Sequence, residues 1–443
     1  MIMSFKVDKQ TQEDLNLVGK YTPGSVLNLF NKVQTSGGER LLQQMFQQPL
    51  TDSQEINTRC GLFKYFGEKK LLFPFSKQDF QEVENYFRIG TSSNYPSALL
   101  NVISARIQSY LVKDERYVRL QEGLSATIKM LNALRNFLEL LNNDETTPFD
   151  HEKNILTGIL AHPRLRNLMQ LINSAEISIM QLAAYDYLIK NTLQADMETL
   201  MESIYKVDIY IAVSAVGRDR GFTYAEALPK GAHVVKISEV WHPALINGVA
   251  NPINFDEGNN MIFLTGANMA GKSTFMKAFG IAVYLAHMGF PVAAKYMQFS
   301  VLDGIYSSIN VSDNLNIGHS HFYAEVLRVK KAAEEVATGK NFIVLFDELF
   351  KGTNVKDAYD ATLAVTAAFA QYHQSFFIIS THIIEVGEAL HKTSKNVQFA
   401  YLPTVMQGNV PKYTYKLKTG ITTDRQGMLI IENEGILALL TNK

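Results

Sequence analysis

The stretch NMIFLTGANMAGKSTFMKAFG, residues 260–280, joins a short apolar run to a loop with two glycines and then to an apolar helical pattern. Its centre, residues 266–273, reads GANMAGKS and fits the pattern G-x-x-x-x-G-K-[S/T]. Glycines in such a loop let backbone N–H groups turn toward phosphate oxygens, the lysine adds a positive charge, and the hydroxyl can bind Mg²⁺. The stretch therefore predicts a buried strand, a phosphate-binding loop and a helix whose N-terminus faces an anion.

The loop pattern assigns a set of residues that contact nucleotide phosphates. Lys272 is predicted to bind the β and γ phosphates, and Ser273 is predicted to contribute a ligand to Mg²⁺. The predicted nucleotide-contacting residues are Gly266, Ala267, Asn268, Met269, Ala270, Gly271, Lys272, Ser273 and Thr274. A flexible glycine turn is the alternative interpretation, but the position of the loop between a strand and a helix favours the phosphate site.

Two further apolar runs, residues 342–346 (FIVLF) and 376–380 (FFIIS), predict buried parallel strands. The first run ends at Asp347 and Glu348, and the second is followed closely by His382. Because ligands bind at the carboxyl ends of parallel strands, we expect these side chains to lie near the loop. Asp347 is then a ligand of Mg²⁺, and Glu348 is a general base for the attacking water. The order of loop, Asp-Glu pair and strand-His resembles that of ABC-type ATPases, in which a switch histidine contacts the γ-phosphate, so His382 is assigned a catalytic role.

The first half of the chain has a helical pattern. Residues 97–143 contain Gly123 as their one internal breaker, and residues 164–216 contain neither glycine nor proline. The apolar spacing of the second stretch predicts one or two long amphipathic helices, and 40 helical residues would extend about 60 Å. An ordinary helical bundle and a lever-like arm are both compatible with this pattern.

Length and composition indicate a globular chain with at least two domains. The 443 residues exceed the usual size of one hydrophobic core. Hydrophobic residues make up 47% and charged residues 19%, which excludes a disordered or collagen-like protein. A change of pattern near residue 220 divides the chain into an N-terminal segment (1–24), a helical domain (25–220) and an α/β domain (221–443).

Charge and cysteine content exclude further classes of protein. The net charge of -1 gives no global basic excess, so contact with nucleic acid would need a local basic patch. Cys60 is the one cysteine, which excludes an intramolecular disulfide and a thiolate zinc cluster. No uncharged apolar run approaches the roughly 20 residues of a membrane span, so we expect a cytoplasmic protein without membrane contact.

Four motifs resemble those of the MutS family of DNA mismatch-repair ATPases. They are TGANMAGKST (265–274), DELFKGTNVKDA (347–358), STHIIE (380–385) and WHP (241–243). Residues 25–65 are also similar to the start of the family's core domain. The resemblance implies an all-α core and lever domain followed by an α/β ABC-type P-loop ATPase domain. It also implies ATP and Mg²⁺ as cofactors, a homodimer, DNA as a ligand, and repair-protein partners that the sequence does not identify.

Residues 313–325, DNLNIGHSHFYAE, are similar to the family's signature, which reaches across the dimer. The resemblance implies that Ser320 contacts the γ-phosphate held by the partner subunit, with His321 at a position where the family has threonine. Near the C-terminus, residues 415–420 are similar to the family's closing segment, while residues 425–427 read RQG where the family has a Ser-Tyr-Gly-like element.

Direct mismatch recognition is not expected from this sequence. In the family, a Phe-x-Glu wedge lies in a domain that precedes the core, whereas the core-like motif here begins by residue 25. The candidate cations for DNA contact are Lys113, Arg116, Arg119, Arg218 and Arg220, and a solvated helix face is the other interpretation of these residues. Two other functions stay open, an ATP-driven remodeller of ribosomes, proteins or branched nucleic acids, and a small-molecule kinase.

Overall fold

The computed structural model describes residues 4–19, 24–90, 92–141, 146–173, 177–309, 321–407, 410–422 and 439–440. It contains two compact units, which we call the sheet unit and the helical unit. The sheet unit comprises Met1–Phe30, Met45–Cys60 and Val216–Lys443. The helical unit comprises Asn31–Gln44 and Gly61–Ala215.

The secondary structure of the described residues follows in chain order. The α-helices are α1 (Lys9–Asp14), α2 (Val26–Phe30), α3 (Ser36–Gln47), α4 (Ser53–Lys69), α5 (Lys77–Arg88), α6 (Tyr95–Val112), α7 (Arg116–Leu140), α8 (Asp150–Leu160), α9 (Pro163–Met169), α10 (Ile179–Tyr187), α11 (Gln194–Asp219), α12 (Lys272–His287), α13 (His321–Val336), α14 (Val355–Ala370) and α15 (Ile384–Thr393). The strands are β1 (Lys6–Val7), β2 (Thr223–Tyr224), β3 (Glu226–Leu228), β4 (Val235–Val240), β5 (Asn251–Phe255), β6 (Met261–Gly266), β7 (Pro291–Val292), β8 (Tyr296–Ser300), β9 (Gly304–Ser308), β10 (Phe342–Asp347), β11 (Phe376–Ser380), β12 (Val397–Leu402), β13 (Thr404–Gln407), β14 (Val410–Tyr413) and β15 (Lys418–Thr419). Short 3₁₀ turns cover Gln170–Asn173 and Lys230–Ala232, and a π-helical turn covers Leu188–Thr192.

A seven-stranded sheet in the order β1-β9-β10-β11-β6-β12-β15 forms the centre of the sheet unit. Its neighbours run parallel except for β15, which is antiparallel to β12. In this register Asp347 pairs with Ser380 and Ser380 pairs with Leu264, so β10, β11 and β6 end side by side. The three strands that the apolar runs predicted are therefore present and adjacent.

The central strands are buried along their length, which explains their uninterrupted apolar sequences. Every residue of β6, β9 and β11 is buried. Strands covered on both faces carry such runs, whereas half-exposed strands alternate apolar and polar residues. Helix α12 is also buried around most of its circumference, because 13 of its 16 residues are buried. The apolar residues after the loop thus fix α12 inside the unit.

Smaller sheets complete the sheet unit. A four-stranded sheet has the order β3-β8-β4-β5, with β3 parallel to β8 and the other neighbours antiparallel. Two antiparallel pairs, β2 with β7 and β13 with β14, stand apart from it. The β13–β14 pair lies in the C-terminal part of the chain.

The structure divides the chain differently from the boundaries 1–24, 25–220 and 221–443. Lys6 and Val7 pair with Gly304 and Ile305, so the N-terminal residues form an edge strand of the main sheet. The segment Met45–Cys60 also belongs to the sheet unit, where the Leu50 N–H donates to the His287 carbonyl at 2.8 Å. These contacts join residues more than 200 positions apart, which local composition does not reveal.

The helical unit contains a break that the sequence did not predict. Residues 95–112 form α6, and α7 starts at Arg116. Lys113 ends α6 in the left-handed conformation at a φ of 55°, and the Asp114 carboxylate accepts the Arg116 N–H at 2.8 Å. A short polar side chain that bonds the backbone two residues on competes with a continuing helix. Gly123, expected to be the breaker, lies inside α7.

Residues 164–216 do not form a single uninterrupted α-helix. The Ser178 and Gln181 side chains form a capping box that starts α10, and the π-helical turn separates α10 from α11. The longest helix in the described part of the chain, α11, has 26 residues and spans about 39 Å. None of the described helices is long and apolar enough to cross a membrane.

Two buried carboxylates hold the start of α3 within the helical unit. Asp208 on α11 accepts the Gln34 and Thr35 N–H groups at 2.9 and 2.8 Å. Glu84 on α5 accepts the Ser36 hydroxyl at 2.6 Å and the Gly37 N–H at 3.1 Å. Burial raises the pKa of Asp208, while its hydrogen bonds to Thr35 and Gln34 oppose that rise. Because N–H groups at a helix start lack partners within the helix, these carboxylates fix α3 against α5 and α11.

We expect opposite effects from two glycine-to-alanine substitutions in this unit. A Cβ at Gly123 would lie 2.5 Å from Tyr86, whose hydroxyl is held by Asp186 at 2.6 Å. Gly123→Ala should therefore destabilise the protein by about 1–3 kcal/mol despite the higher helix propensity of alanine. Gly158 in α8 has open space, so Gly158→Ala should stabilise by up to about 1 kcal/mol. Urea unfolding followed by circular dichroism tests both, and equal effects would contradict the packing argument.

Candidate functional site

The loop between β6 and α12 adopts the backbone conformation that its glycines permit. Gly266 and Gly271 have φ angles of 145° and 100°. A Cβ at Gly266 would lie 3.2 Å from the Leu402 carbonyl oxygen, and one at Gly271 would lie 3.0 Å from the Tyr415 ring. Met269 also has a positive φ of 66°, which is uncommon for a residue with a Cβ. At both glycines, a larger residue would have a strained backbone conformation and a Cβ in close contact with a neighbouring atom.

Lys272, the first residue of α12, is held over this loop. Its side-chain Nζ donates to the Gly266 carbonyl at 2.9 Å and to the Ala267 carbonyl at 3.2 Å. Burial lowers the pKa of Lys272, and the charges of Asp347 and Glu348 oppose that effect. The ammonium group therefore lies where the loop and the two carboxylates meet, which is a position suited to an anionic ligand.

Asp347, the last residue of β10, joins the start of α12 to the end of β11. Its Oδ2 accepts a short hydrogen bond from the Ser273 hydroxyl, and its Oδ1 accepts one from the Ser380 hydroxyl. A hydroxyl and a carboxylate in contact are ligands that Mg²⁺ uses beside phosphate oxygens and water. No cluster of three or more His, Cys, Asp or Glu residues suited to a metal occurs in the described part of the chain. The donor set therefore fits a magnesium ion that completes its coordination with phosphate and water.

Glu348 follows Asp347 in a backbone conformation that orients its carboxylate. Its φ is 55°, and its N–H donates to the Ser380 carbonyl at 3.0 Å. Glu348 Oε1 lies 2.7 Å from His382 Nε2, and Oε2 lies 3.7 Å from Lys351 Nζ. The hydrogen bond from His382, against the effect of burial, lowers the pKa of Glu348 to about 2. The carboxylate is thus ionised at neutral pH and fixed by a basic side chain.

A cavity of about 620 Å³ opens beside the loop. Lys272, Ser273 and Glu348 line one part of it. The other part is lined mainly by aromatic and apolar side chains, including Trp241, His242, Ile246 and Tyr415. Ligand pockets commonly combine apolar walls with a few polar groups in about this range of volume. The cavity can therefore hold a ligand that has a charged end at the loop and a ring system further out.

The structure adds site residues that the sequence did not assign. Ser380 bonds Asp347, and Lys351 pairs with Glu348. Asn251 donates from Nδ2 to the Tyr415 carbonyl at 2.9 Å and accepts the Leu417 N–H at 2.7 Å, which places Tyr415 against Gly271. Ser380 and Lys351 could have been found beside the Asp-Glu and His motifs. Asn251 and Tyr415 are 164 positions apart, and no local pattern connects them.

The predicted residues are distributed around the site in different ways. Lys272, Ser273, Asp347, Glu348 and His382 converge at the carboxyl ends of the strands. Thr274 lines the cavity and is exposed, whereas Ala270 is buried. The predicted contact of Ser320 lies outside the described residues, as do residues 313–319 and 425–427.

Four of the five candidate DNA-binding cations make local contacts in the described part of the chain. Arg116 pairs with Asp114 at 2.8 Å, Arg119 with Glu115 at 2.7 Å, and Arg218 with Asp219 at 3.2 Å. The Arg220 guanidinium donates to the Pro243 carbonyl at 3.0 Å. Exposed ion pairs of this kind contribute only about 0–1 kcal/mol, so phosphate groups could displace the acidic partners.

Comparison with known proteins identifies one family. Residues 262–439 match the model of MutS domain V. The DNA mismatch repair protein MutS of Anaplasma phagocytophilum is 26% identical over 323 residues, which cover 72% of this chain and 36% of that protein. MutS of Brevibacillus brevis is 34% identical over 197 residues, covering 43% of this chain and 22% of the relative. MutS of Fusobacterium nucleatum is 25% identical over 484 aligned positions, covering 88% and 53%.

The chain spans about half, or less, of the length of these curated relatives. The domain V match begins one residue inside β6 and includes the loop of residues 266–273, Asp347, Glu348 and His382. The alignment with the Fusobacterium protein extends beyond that domain over most of the chain. Taken together, these matches show that residues 262–439 are a MutS domain V and that most of the chain is similar to MutS proteins.

Proposed function

We propose that this protein is a dimeric ABC-type ATPase that binds DNA and couples that binding to hydrolysis of ATP to ADP and phosphate. The observation that carries the proposal is the convergence of Lys272, Ser273, Asp347 and the Glu348–His382 pair at the ends of adjacent strands. The sheet unit then contains the P-loop ATPase domain, and the helical unit corresponds to an all-α core and lever domain. The three relatives described above are named DNA mismatch repair proteins, which supports DNA as the ligand.

The loop would bind the triphosphate of ATP. Its backbone N–H groups and the N-terminus of α12 would hold the phosphates, and Lys272 would exchange its two carbonyl acceptors for phosphate oxygens. Ser273 and Asp347 would hold Mg²⁺, which neutralises charge on the phosphates when bound. The ring-lined part of the cavity, with Trp241 and Tyr415, would then receive the base.

Glu348 and His382 would act on the water that attacks the γ-phosphorus. The new bond forms between the water oxygen and phosphorus while the bond from phosphorus to the bridging oxygen of ADP breaks, and the proton that the water loses passes to the released phosphate. A carboxylate with a pKa of about 2 is a weak base, so Glu348 orients the water and accepts its hydrogen bond. His382 fixes the Glu348 rotamer through the 2.7 Å contact of its Nε2 with Glu348 Oε1, and it would donate to the γ-phosphate.

The proposal includes a homodimer with two composite sites, each formed by the loop of one subunit and Ser320 of the other. The resemblance of residues 313–325 to the family signature supports a contact from Ser320 of one subunit to the γ-phosphate bound by the other. ATP would then favour the closed dimer through its better contacts in that state, which is a population shift. The helical unit would transmit this change to DNA.

Lys272→Met should abolish most nucleotide binding. Charged hydrogen bonds of this kind contribute about 1.5–3 kcal/mol, so the ADP affinity should fall about 10- to 100-fold. Isothermal titration calorimetry measures the affinity, and Lys356→Met, which removes an exposed cation from α14, should leave it unchanged. Equal ADP affinity in the Lys272 variant and the wild type would contradict the proposed role of the loop.

Glu348→Gln should retain ATP binding and lose turnover by about 100-fold or more, because the neutral amide orients water poorly. The ATP-bound dimer should then persist, and light scattering with ATP would detect it. Glu388→Gln changes an exposed glutamate on the neighbouring helix α15 and serves as the control. Wild-type turnover in Glu348→Gln would remove this residue from the mechanism.

DNA binding should depend steeply on salt, since phosphate contacts release counterions. If Lys113, Arg116 and Arg119 contact phosphates, replacing all three by alanine should lower the salt slope by about 3, or about 1 for each cation. Fluorescence anisotropy with labelled duplex, mismatched and forked DNA measures the slope, with Lys356→Ala as control. Absence of binding to all three DNAs at low salt would contradict the DNA part of the proposal and favour the remodeller.

A further inference from the structure

A cavity of about 710 Å³ lies between helices of the helical unit. Its lining includes Tyr86 on α5, Val102 on α6, Gly123 on α7 and Asp186 on α10. Cavities of about 300–1,000 Å³ between the helices of bundles are common ligand sites. The ATPase mechanism proposed above uses none of these residues.

A buried carboxylate forms part of the cavity wall. Asp186 is 8% exposed, and its Oδ1 accepts the Tyr86 hydroxyl at 2.6 Å. The same Oδ1 lies 2.9 Å from Lys190 Nζ. In the part of the chain that the structure describes, no group donates a hydrogen bond to Asp186 Oδ2. Buried polar atoms normally have a partner, so Oδ2 offers an acceptor to an N–H group of a ligand.

Two neighbouring side chains fix the orientation of this carboxylate. Burial and the charge of Asp186 raise the pKa of Tyr86 well above its usual value, so the Tyr86 hydroxyl stays protonated and donates to Asp186. Lys190 is 3% exposed, and its Nζ lies 3.7 Å from the centre of the Tyr86 ring. Lys190 belongs to the π-helical turn after α10, and such turns often occur at functional sites. The two contacts occupy Oδ1 and hold the carboxylate, so the position of Oδ2 is fixed before a ligand binds.

Arginine side chains supply positive charge to the exposed part of the lining. Arg88, Arg116 and Arg119 line the cavity and are exposed. Two further carboxylates, those of Glu82 and Glu122, also line it, so arginines are in excess there. Among the described residues none forms an ion pair with Arg88, and the ion pairs of Arg116 and Arg119 are exposed and weak. Guanidinium groups form paired hydrogen bonds with phosphate, so this part of the lining suits a phosphate group.

A guanine base joined to a phosphate carries groups that match both parts of the lining. The Watson–Crick edge of guanine has two adjacent donors, N1–H and the N2 amino group, which a carboxylate oxygen accepts. Adenine, cytosine and thymine have one donor group on this edge, and an acceptor next to it would face Asp186 Oδ2 unfavourably. Proteins that bind single-stranded nucleic acid read unstacked bases by hydrogen bonds to this edge. The lining therefore favours guanine over the other bases.

We propose that the cavity binds a guanine nucleotide, with the base edge donating to Asp186 Oδ2 and the phosphate bound by the arginines. An unpaired guanine in DNA is one source of this group, and free GMP is the other. The inference rests on the proposed function for DNA as the source, and it is independent of the ATPase site. It assigns the helical unit a site that reads a base, in addition to contacts with the phosphate backbone.

The primary test measures the preference for guanine directly. Fluorescence anisotropy would compare a labelled single strand of thymidines with the same strand that has one central guanine. ADP and Mg²⁺ are present throughout, so that the loop of the sheet unit is occupied. The wild type should bind the guanine strand about tenfold more tightly, since hydrogen bonds to a charged acceptor change affinity by about that factor or more. Equal affinity for the two strands would overturn the inference.

The test variant combines Asp186→Asn with Lys190→Met. Asp186→Asn alone would leave the Lys190 ammonium buried without its partner, whereas removal of both charges is often tolerated. The amide keeps an acceptor for the Tyr86 hydroxyl and presents a donor in place of Oδ2. The preference for guanine should fall from about tenfold to less than about twofold, with the affinity for the thymidine strand unchanged. A folded variant that keeps the preference would contradict the proposed contact.

Ser104→Phe is the second variant if the first does not fold. Ser104 lines the cavity from an exposed position on α6, so a larger side chain there narrows the cavity and leaves the buried ion pair intact. This variant should also lose the preference for guanine, and a preference equal to that of the wild type would overturn the inference.

Glu152→Gln is the matched control. Glu152 on α8 pairs with Lys206 at 3.0 Å in the same unit, and it does not line the cavity. The control should keep the preference for guanine. A loss equal to that of the test variant would mean that any change to an ion pair of this unit suffices, which would overturn the assignment to Asp186.

Competition with free nucleotides distinguishes the two sources. Displacement of the guanine strand by GMP, and not by AMP, would support the inference and show that the cavity also accepts a free nucleotide. A preference for the guanine strand that GMP does not reduce would support DNA as the source.

Failure of the proposed function would give a different result. If no DNA binds at low salt, the DNA part of the proposed function is refuted, and calorimetry with GMP then tests the cavity. Binding of GMP that the variant with Asp186→Asn and Lys190→Met loses would support the inference. Absence of GMP binding in that case would overturn it.

Discussion

The carboxylate of Asp347 is the constraint on which the site depends. It lies where the buried central strands meet the loop, and its oxygens accept hydrogen bonds, so it needs donors there. Ser273 and Ser380 supply them from α12 and β11. The side-by-side ends of β10, β11 and β6 bring these donors together. The sheet register, the start of α12 and the position of Lys272 are therefore linked through one side chain.

The parts of the site that the sequence predicted are those encoded in short segments. Lys272 and Ser273 lie within the loop pattern, while Asp347, Glu348 and His382 follow apolar runs whose parallel pairing places them together. The sequence could not predict Tyr415, because its position depends on hydrogen bonds to Asn251 and on contact with Gly271. Nor could it predict that His382 pairs with Glu348, since both side chains have several rotamers.

Helices and unit boundaries were harder to predict than the central strands. The apolar spacing of a helix continues in the sequence when only a few short polar residues interrupt it, as at Asp114 and Ser178. The predicted helices were therefore too long. The boundaries between units depend on pairs such as Lys6 with Gly304 and Leu50 with His287, which are far apart in sequence. The hydrophobic pattern of a sequence predicts which residues are buried, but it does not predict which residues they pack against.

Trp241 is the one tryptophan of the sequence, and it lines the cavity beside the loop. Its ring packs edge-on against the Phe222 ring, with centroids 6.1 Å apart. Its backbone N–H donates a hydrogen bond to the Ala293 carbonyl at 3.0 Å. Indole emission responds to the polarity around the ring, so all tryptophan emission from this protein originates at the wall of the cavity. The fluorescence of Trp241 should therefore change when a ligand enters the cavity. Stopped-flow measurements of ligand binding can follow this change without a dye on the protein or the ligand.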